Sequence, residues 1–229
     1  MMKIFLFMTS IIMVNTISAQ STDSINFICG KSTIKYAGRT YHTVKIGDQC
    51  WLKENLNVGK MIPGSQKQTN NGVIEKYCYD DNIMYCSTYG GLYQWDEAMQ
   101  YSSKEGAQGI CPSGWHIPYM SEFQSLSLIV NHDGNALKEI GQGVGDGEGT
   151  DTSGFSALIV PILDWEGYVY YLRGCPVFWS SMEYHQLFFT SHYAHIMFLY
   201  GNGSGIDFGH DDKEYGFSVR CLKDSVALK

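Results

Sequence analysis

An α+β domain is the fold class the sequence predicts, and three observations carry it. Segments rich in β-branched and aromatic residues stand at both ends, two segments with helical period lie between them, and glycines punctuate the whole chain. Of 229 residues, 44% are hydrophobic, 14% aromatic and only 17% charged, a balance that excludes a disordered tail, a collagen-like repeat and a coiled coil. Strands flanking a central helical pair also suggest that the two termini meet in one sheet.

Residues 1–19 read as an export signal: Lys3 supplies the charge, residues 4–14 the apolar run, and Ile17-Ser18-Ala19 a cleavage site. The run is short of the ~20 residues needed to span a bilayer, so a membrane span is not expected. No cysteine stands at the cleavage point to take a lipid. Residues 20–28 are expected to form a loose terminus, residues 29–224 one domain, and residues 225–229 a tail without a further attachment domain.

Residues 33–46 alternate around Ala37-Gly38 and predict a hairpin. Residues 58–72 read as a long loop. In residues 91–101, Leu92, Trp95, Ala98 and Met99 share one helical face, which leaves Glu97 and Gln100 toward water. Residues 121–130 give a second helix, with Phe123, Leu126, Ile129 and Val130 inward and Ser121 with Gln124 spaced like a capping box. A short helical piece over 136–140 precedes the loop GQGVGDGEGTDTSG, where glycine disfavours regular structure. Strands are expected over 155–163, 168–173, 177–181, 194–200 and 215–222.

A formal net charge of -7 with no basic run excludes nucleic acid as a partner, because affinity for a polyanion comes from clustered Lys and Arg. Export makes disulfides the expected state of the cysteines. There are seven: Cys29, Cys50, Cys78, Cys86, Cys111, Cys175 and Cys221. Without a C-x-x-C pair or a matching histidine pattern they do not suggest zinc. Spacing alone leaves the pairing open, and the odd number leaves one thiol over or shared between chains.

Five blocks then carry a family signature: YHTVKIGDQCWLKENLN at 41–57, YGGLYQW at 89–95, CPSGWHIP at 111–118, WSS at 179–181 and YGFSVRC at 215–221. In this order they resemble the Fibrobacter succinogenes major paralogous domain, a family abundant in exported proteins of Fibrobacter and Bacteroidetes. The resemblance implies a surface or secreted module and carries over no catalytic residue. The WHIP and GFSVRC elements are also similar to those of the formylglycine-generating, C-type-lectin-like fold. That likeness implies a compact, disulfide-stapled domain with two helices, small twisted antiparallel sheets and long loops. It further implies the pairs Cys29–Cys50, Cys78–Cys86 and Cys111–Cys221, with Cys175 left over as an inert thiol.

The expected function is therefore non-catalytic binding, in adhesion or glycan recognition at the cell surface, in the periplasm or outside the cell; a protein-interaction scaffold is the alternative. A copper oxidase of the formylglycine-generating kind would need two reactive cysteines close in sequence, and Cys175 and Cys221 are far apart. Gly201-Asn202-Gly203-Ser204-Gly205 lacks the following helix that a serine nucleophile would want. Trp165, Tyr168 and Tyr170, at an apparent hairpin turn, are the candidate ligand-stacking residues, whereas Trp51, Trp95, Trp115 and Trp179 belong to the core. No cofactor is expected. Calcium is the one candidate ion, through Asp146, Glu148 and Asp151; His185, His192 and His195 are closely spaced but would need a helix or loop to share a metal.

Overall fold

The computed structural model describes residues 27–160, 162–163, 169–170, 174–185 and 192–225. The predicted export signal, Trp165 and Tyr168 lie outside the described residues, and Tyr170 is described by its backbone alone. The fold is α+β and stapled by three disulfides, Cys29–Cys50, Cys78–Cys86 and Cys111–Cys221. Cys175 is a buried thiol.

The main sheet begins with the predicted hairpin. β1 (Thr33–Tyr36) and β2 (Arg39–Ile46) pair antiparallel, and Ala37 and Gly38 turn with φ of 48° and 77°, the left-handed pair that a tight primed turn demands. β3 (Gln49–Leu52) follows β2 around Gly47-Asp48. The C-terminal strand β12 (Leu222–Lys223) then inserts between β3 and β6 (Trp115–His116), giving the order β1-β2-β3-β12-β6. Leu222 faces Trp51 on one side and His116 on the other, so the two ends of the domain do share a sheet.

A second antiparallel sheet orders β11 (Ile206–Asp212), β10 (Tyr193–Leu199) and β9 (Val177–Tyr184). Two short pairs complete the strands: β4 (Lys60–Met61) with β5 (Glu75–Lys76), and β7 (Ile162–Leu163) with β8 (Val169–Tyr170). The β4–β5 pair is parallel, against the expectation that every sheet would be antiparallel.

Three α-helices, not two, occur among the described residues: α1 (Ile83–Tyr89), α2 (Trp95–Ala98) and α3 (Met120–Ile129). Helix α1 has no inward apolar stripe to read, since Ile83 and Met84 point to water and Cys86 is its buried residue. It is held instead by the Asn82 cap, whose side chain accepts from the Met84 N–H at 3.0 Å, and by the Cys78–Cys86 bridge. The predicted helix over 91–101 contracts to the single turn of α2. Leu92 and Tyr93 spend their backbone groups on bridges to Tyr77 and Phe217, and Gln100 and Tyr101 turn left-handed. Glu97, expected to face water, is 1% exposed, and its carboxylate accepts from the Tyr101 hydroxyl at 2.7 Å and the Glu75 N–H at 3.0 Å.

Helix α3 is capped two residues earlier than expected, at Tyr119 in place of Ser121. Glu122, rather than Gln124, reaches back to the Tyr119 N–H at 2.8 Å. Its buried stripe runs through Met120, Phe123 and Leu126 and leaves Ile129 exposed at the edge. Residues 155–160 and 215–221 are not continuous strands. They thread between layers and pair at isolated bridges, Lys138 with Ala157, Tyr93 with Phe217 and Phe178 with Ser218.

Trp51, Trp95, Trp115 and Trp179 are all buried, and the ring nitrogens of Trp95 and Trp179 tie the blocks at 89–95 and 179–181 together. Trp179 Nε1 donates to the Tyr93 carbonyl at 2.7 Å, and Trp95 Nε1 to the Ser180 carbonyl at 2.8 Å. The five blocks supply residues to two neighbouring hydrophobic clusters, Trp95, Trp115 and Trp179 to one and Trp51 to the other.

Candidate functional site

Between the β1–β2 hairpin, the strand exit at 53–57 and the C-terminal end of α1 lies a cleft of ≈ 320 Å³. Most of its lining residues carry polar groups, Arg39, Lys53, Glu54, Asn55, Asn57, Thr88, Ser156 and Arg220 among them, while their stems and Leu158 give it apolar surface as well. The fold fixes each group. Asn57 N–H donates to the buried Tyr41 hydroxyl at 3.1 Å and Val58 N–H to that of Tyr93 at 2.8 Å, so residues 55–58 are pinned by two core phenols. Gly90 crosses over Asn55 with φ of 88°, where a Cβ would stand 2.6 Å from the Asn55 Cβ. Only glycine allows that approach.

Arg220 forms the floor. It is 1% exposed, its Nε and Nη2 donate to Asn55 Oδ1 at 3.0 and 2.6 Å, and Nη1 donates to the Phe155 carbonyl at 2.5 Å. The guanidinium lies 4.5 Å over the Phe155 ring. Every one of these acceptors is neutral. Burial pulls the Arg220 pKa down to about 9, which still leaves a cation at neutral pH. Behind the wall, the Lys76 ammonium is also buried and donates to Asn57 Oδ1 at 2.5 Å. Burial first, then the nearby Arg39 charge, lowers its pKa. Glu54 is engaged elsewhere, accepting from the His42 N–H at 2.8 Å and facing its Nδ1 at 2.6 Å.

A second cavity of ≈ 340 Å³ is bounded by Phe27, Asp48, Glu122, Lys223 and Asp224. Beside it His116 links α3 to the chain end, with Nε2 3.0 Å from Glu122 Oε2 and Nδ1 2.7 Å from Asp224 Oδ1. Burial works against its charge, yet the hydrogen bonds to Glu122 and then Asp224 prevail and its pKa is raised. A raised folded pKa contributes stability fully below the unfolded pKa, and that contribution is lost as pH rises through the folded one. A neutral imidazole keeps one N–H, so one carboxylate contact must then become lone pair against lone pair. Wild type is therefore expected to lose on the order of 1 kcal/mol, roughly 2–4 °C in Tm, as pH climbs through the His116 titration. Melting curves of wild type and His116→Gln across neutral pH check this: a variant whose curve keeps the wild-type slope removes His116 as the cause.

The residues singled out from the sequence do not assemble here. Asp146 and Glu148 are exposed on the glycine-rich loop, while Asp151 accepts from the Ser156 N–H at 2.8 Å and hydroxyl at 2.6 Å. His185 and His192 are exposed, and His195 packs on β10 against Tyr184 at 5.5 Å. Among the described residues no three His, Cys, Asp or Glu side chains are grouped to hold a metal ion. Arg39, Lys53, Asn55 and Arg220 were missed by sequence reasoning. The signal was a charged residue between Val219 and Cys221, inside an otherwise apolar block.

Neither the curated proteins nor the solved structures hold a significant match to the chain. A family model does match, the Fibrobacter succinogenes major domain, over residues 44–223. That span contains every strand of the main sheet except β1 and the start of β2, together with the Arg220 floor of the cleft. The chain belongs to the Fibrobacter succinogenes major domain family.

Proposed function

We propose that this chain is an exported, non-catalytic binding module whose cleft above Arg220 holds a polar ligand of the glycan class at the cell surface. One observation carries the reading: a recess of ≈ 320 Å³ in which hydrogen-bonding side chains from four parts of the chain converge, set among apolar stems. Ligand cavities of about 300 Å³ and above are normally lined by hydrophobic groups with a few polar contacts. Many polar groups among apolar stems suit a ligand that carries hydroxyls on a carbon ring. Arg39 and Lys53 offer donors there, over a floor of Asn55, Asn57 and Arg220 whose mutual and main-chain hydrogen bonds hold it in shape. The potentially reactive groups are committed internally, Ser156 to Asp151 and Glu54 to His42, which favours binding over reaction. Three disulfides are consistent with export, since such bonds persist in oxidising compartments.

A glycan array with wild type, Thr88→Trp and Trp165→Ala tests this. Thr88 is exposed at the cleft wall, so an indole there obstructs the entrance. Wild-type signals that vanish in Thr88→Trp and persist in Trp165→Ala are the expected result. Signals lost in Trp165→Ala alone transfer the site to that residue. A blank array favours the protein-recognition scaffold.

A further inference from the structure

We infer that the ligand of this cleft carries a carboxylate, and that the chain recognises uronic-acid-containing oligosaccharides over neutral ones. The inference rests on the cleft reading above and adds the ligand's charge. Four of the sixteen Lys and Arg residues of a chain with net charge -7 gather at this one recess: Arg39, Lys53 and Arg220 on its walls and Lys76 behind Asn57. Two carboxylates, Glu54 and Glu139, line it as well. Glu54 is held by His42, and Glu139 is exposed at the rim.

The buried cations have no carboxylate within salt-bridge distance among the described residues. Arg220 satisfies its N–H groups with the Asn55 side chain and the carbonyls of Phe155 and Leu52, and Lys76 with the Asn57 side chain. Four hydrogen bonds from five guanidinium N–H groups leave one donor uncommitted. The Lys53 ammonium makes no hydrogen bond or ion pair among the described residues, and Arg39 gives one guanidinium N–H to the Ser87 carbonyl at 2.9 Å. Glu54, Asp151 and Glu139 act on Arg220 from beyond contact distance, so its charge is offset in part but not paired, and with Arg39 and Lys53 the recess keeps an excess of positive groups that draws counter-ions. A sugar carboxylate answers that excess, with planar oxygens that fit guanidinium and ammonium donors. A neutral sugar leaves it unanswered.

Titration calorimetry with trigalacturonate and its fully methyl-esterified form, at low and high salt, is the test. Esterification removes the charge and keeps the rings. Wild type is expected to bind the acid at least ~10-fold more tightly than the ester, a preference that shrinks in Lys53→Gln and Arg39→Gln and at high salt. Both lysine and arginine sites are chosen because they are partly exposed, whereas an Arg220 variant risks unfolding. Equal binding of acid and ester, abolished for both by Thr88→Trp, overturns the charge preference and keeps the cleft. Binding of neither overturns the uronate inference, and a blank glycan array then overturns the cleft reading as well.

Discussion

Replacing Cys111 and Cys221 together by alanine is expected to lower Tm by roughly 10–20 °C, the largest effect of any disulfide removal in this chain. The bridge closes a separation of 110 residues, against 21 for Cys29–Cys50 and 8 for Cys78–Cys86. In the chain-entropy account these loops contribute about 5, 3 and 2–3 kcal/mol respectively, because a longer loop removes more freedom from the unfolded chain. The location adds to the entropy. Cys221 directly precedes β12, the strand that closes the main sheet between β3 and β6, and directly follows Arg220. Releasing it loosens both the sheet and the cleft floor, so ligand affinity should fall along with stability. Calorimetric melting of the three double-alanine variants checks the order, and a Cys78–Cys86 variant that melts as low as the Cys111–Cys221 one would refute it.

What was legible in the sequence follows a physical division. The β1–β2 hairpin was readable because its alternation and its Ala37-Gly38 turn are local, and α3 because Phe123 and Leu126 stripe one face. Helix α1 was not, since a cap and a disulfide hold it rather than burial of a stripe. Glu97 fell on a polar helical face on paper, but its partners Tyr101 and Glu75 come from a left-handed turn and a distant strand that no period reveals. Strand β11, with the sequence IDFGHDD and no fully buried residue, lacks the apolar run that marks a strand. The cleft was hidden for the same reason. Arg39, Asn55 and Arg220 are not neighbours in sequence, and they converge because the C-terminal β12 pairs beside β3, the strand that follows the N-terminal hairpin. The aromatic ligand site anticipated at Trp165 and its neighbours falls mostly outside the described residues.

Lys138→Met is expected to cost about 3 kcal/mol, or roughly 6–12 °C in Tm, although methionine preserves most of the side chain's volume. Lys138 is 0% exposed, and its ammonium donates to the carbonyls of Gly147, Tyr200 and Gly203 at 2.5, 2.6 and 3.0 Å. Burial lowers its pKa. Three main-chain oxygens converging from two glycine-rich loops form the kind of cage that a hard cation would occupy, and the chain supplies that cation itself. Glycine makes the approach feasible, for a Cβ on Gly147 would stand 2.4 Å from the Gly201 oxygen and 2.5 Å from the Gly203 nitrogen. Removing the ammonium strands three buried acceptors at about 1–3 kcal/mol each, offset in part because a lysine charge no longer has to be dehydrated. The same loop carries Asp146, Glu148 and Asp151, so the two ideas separate cleanly. With Lys138 in the cage, added calcium should leave the wild-type Tm unchanged, and Lys138→Met should melt lower whether or not calcium is present. A calcium-dependent rise in the wild-type Tm would restore the acidic residues as ion ligands, and a variant within ~1 kcal/mol of wild type would remove the ammonium as the loop's organising charge.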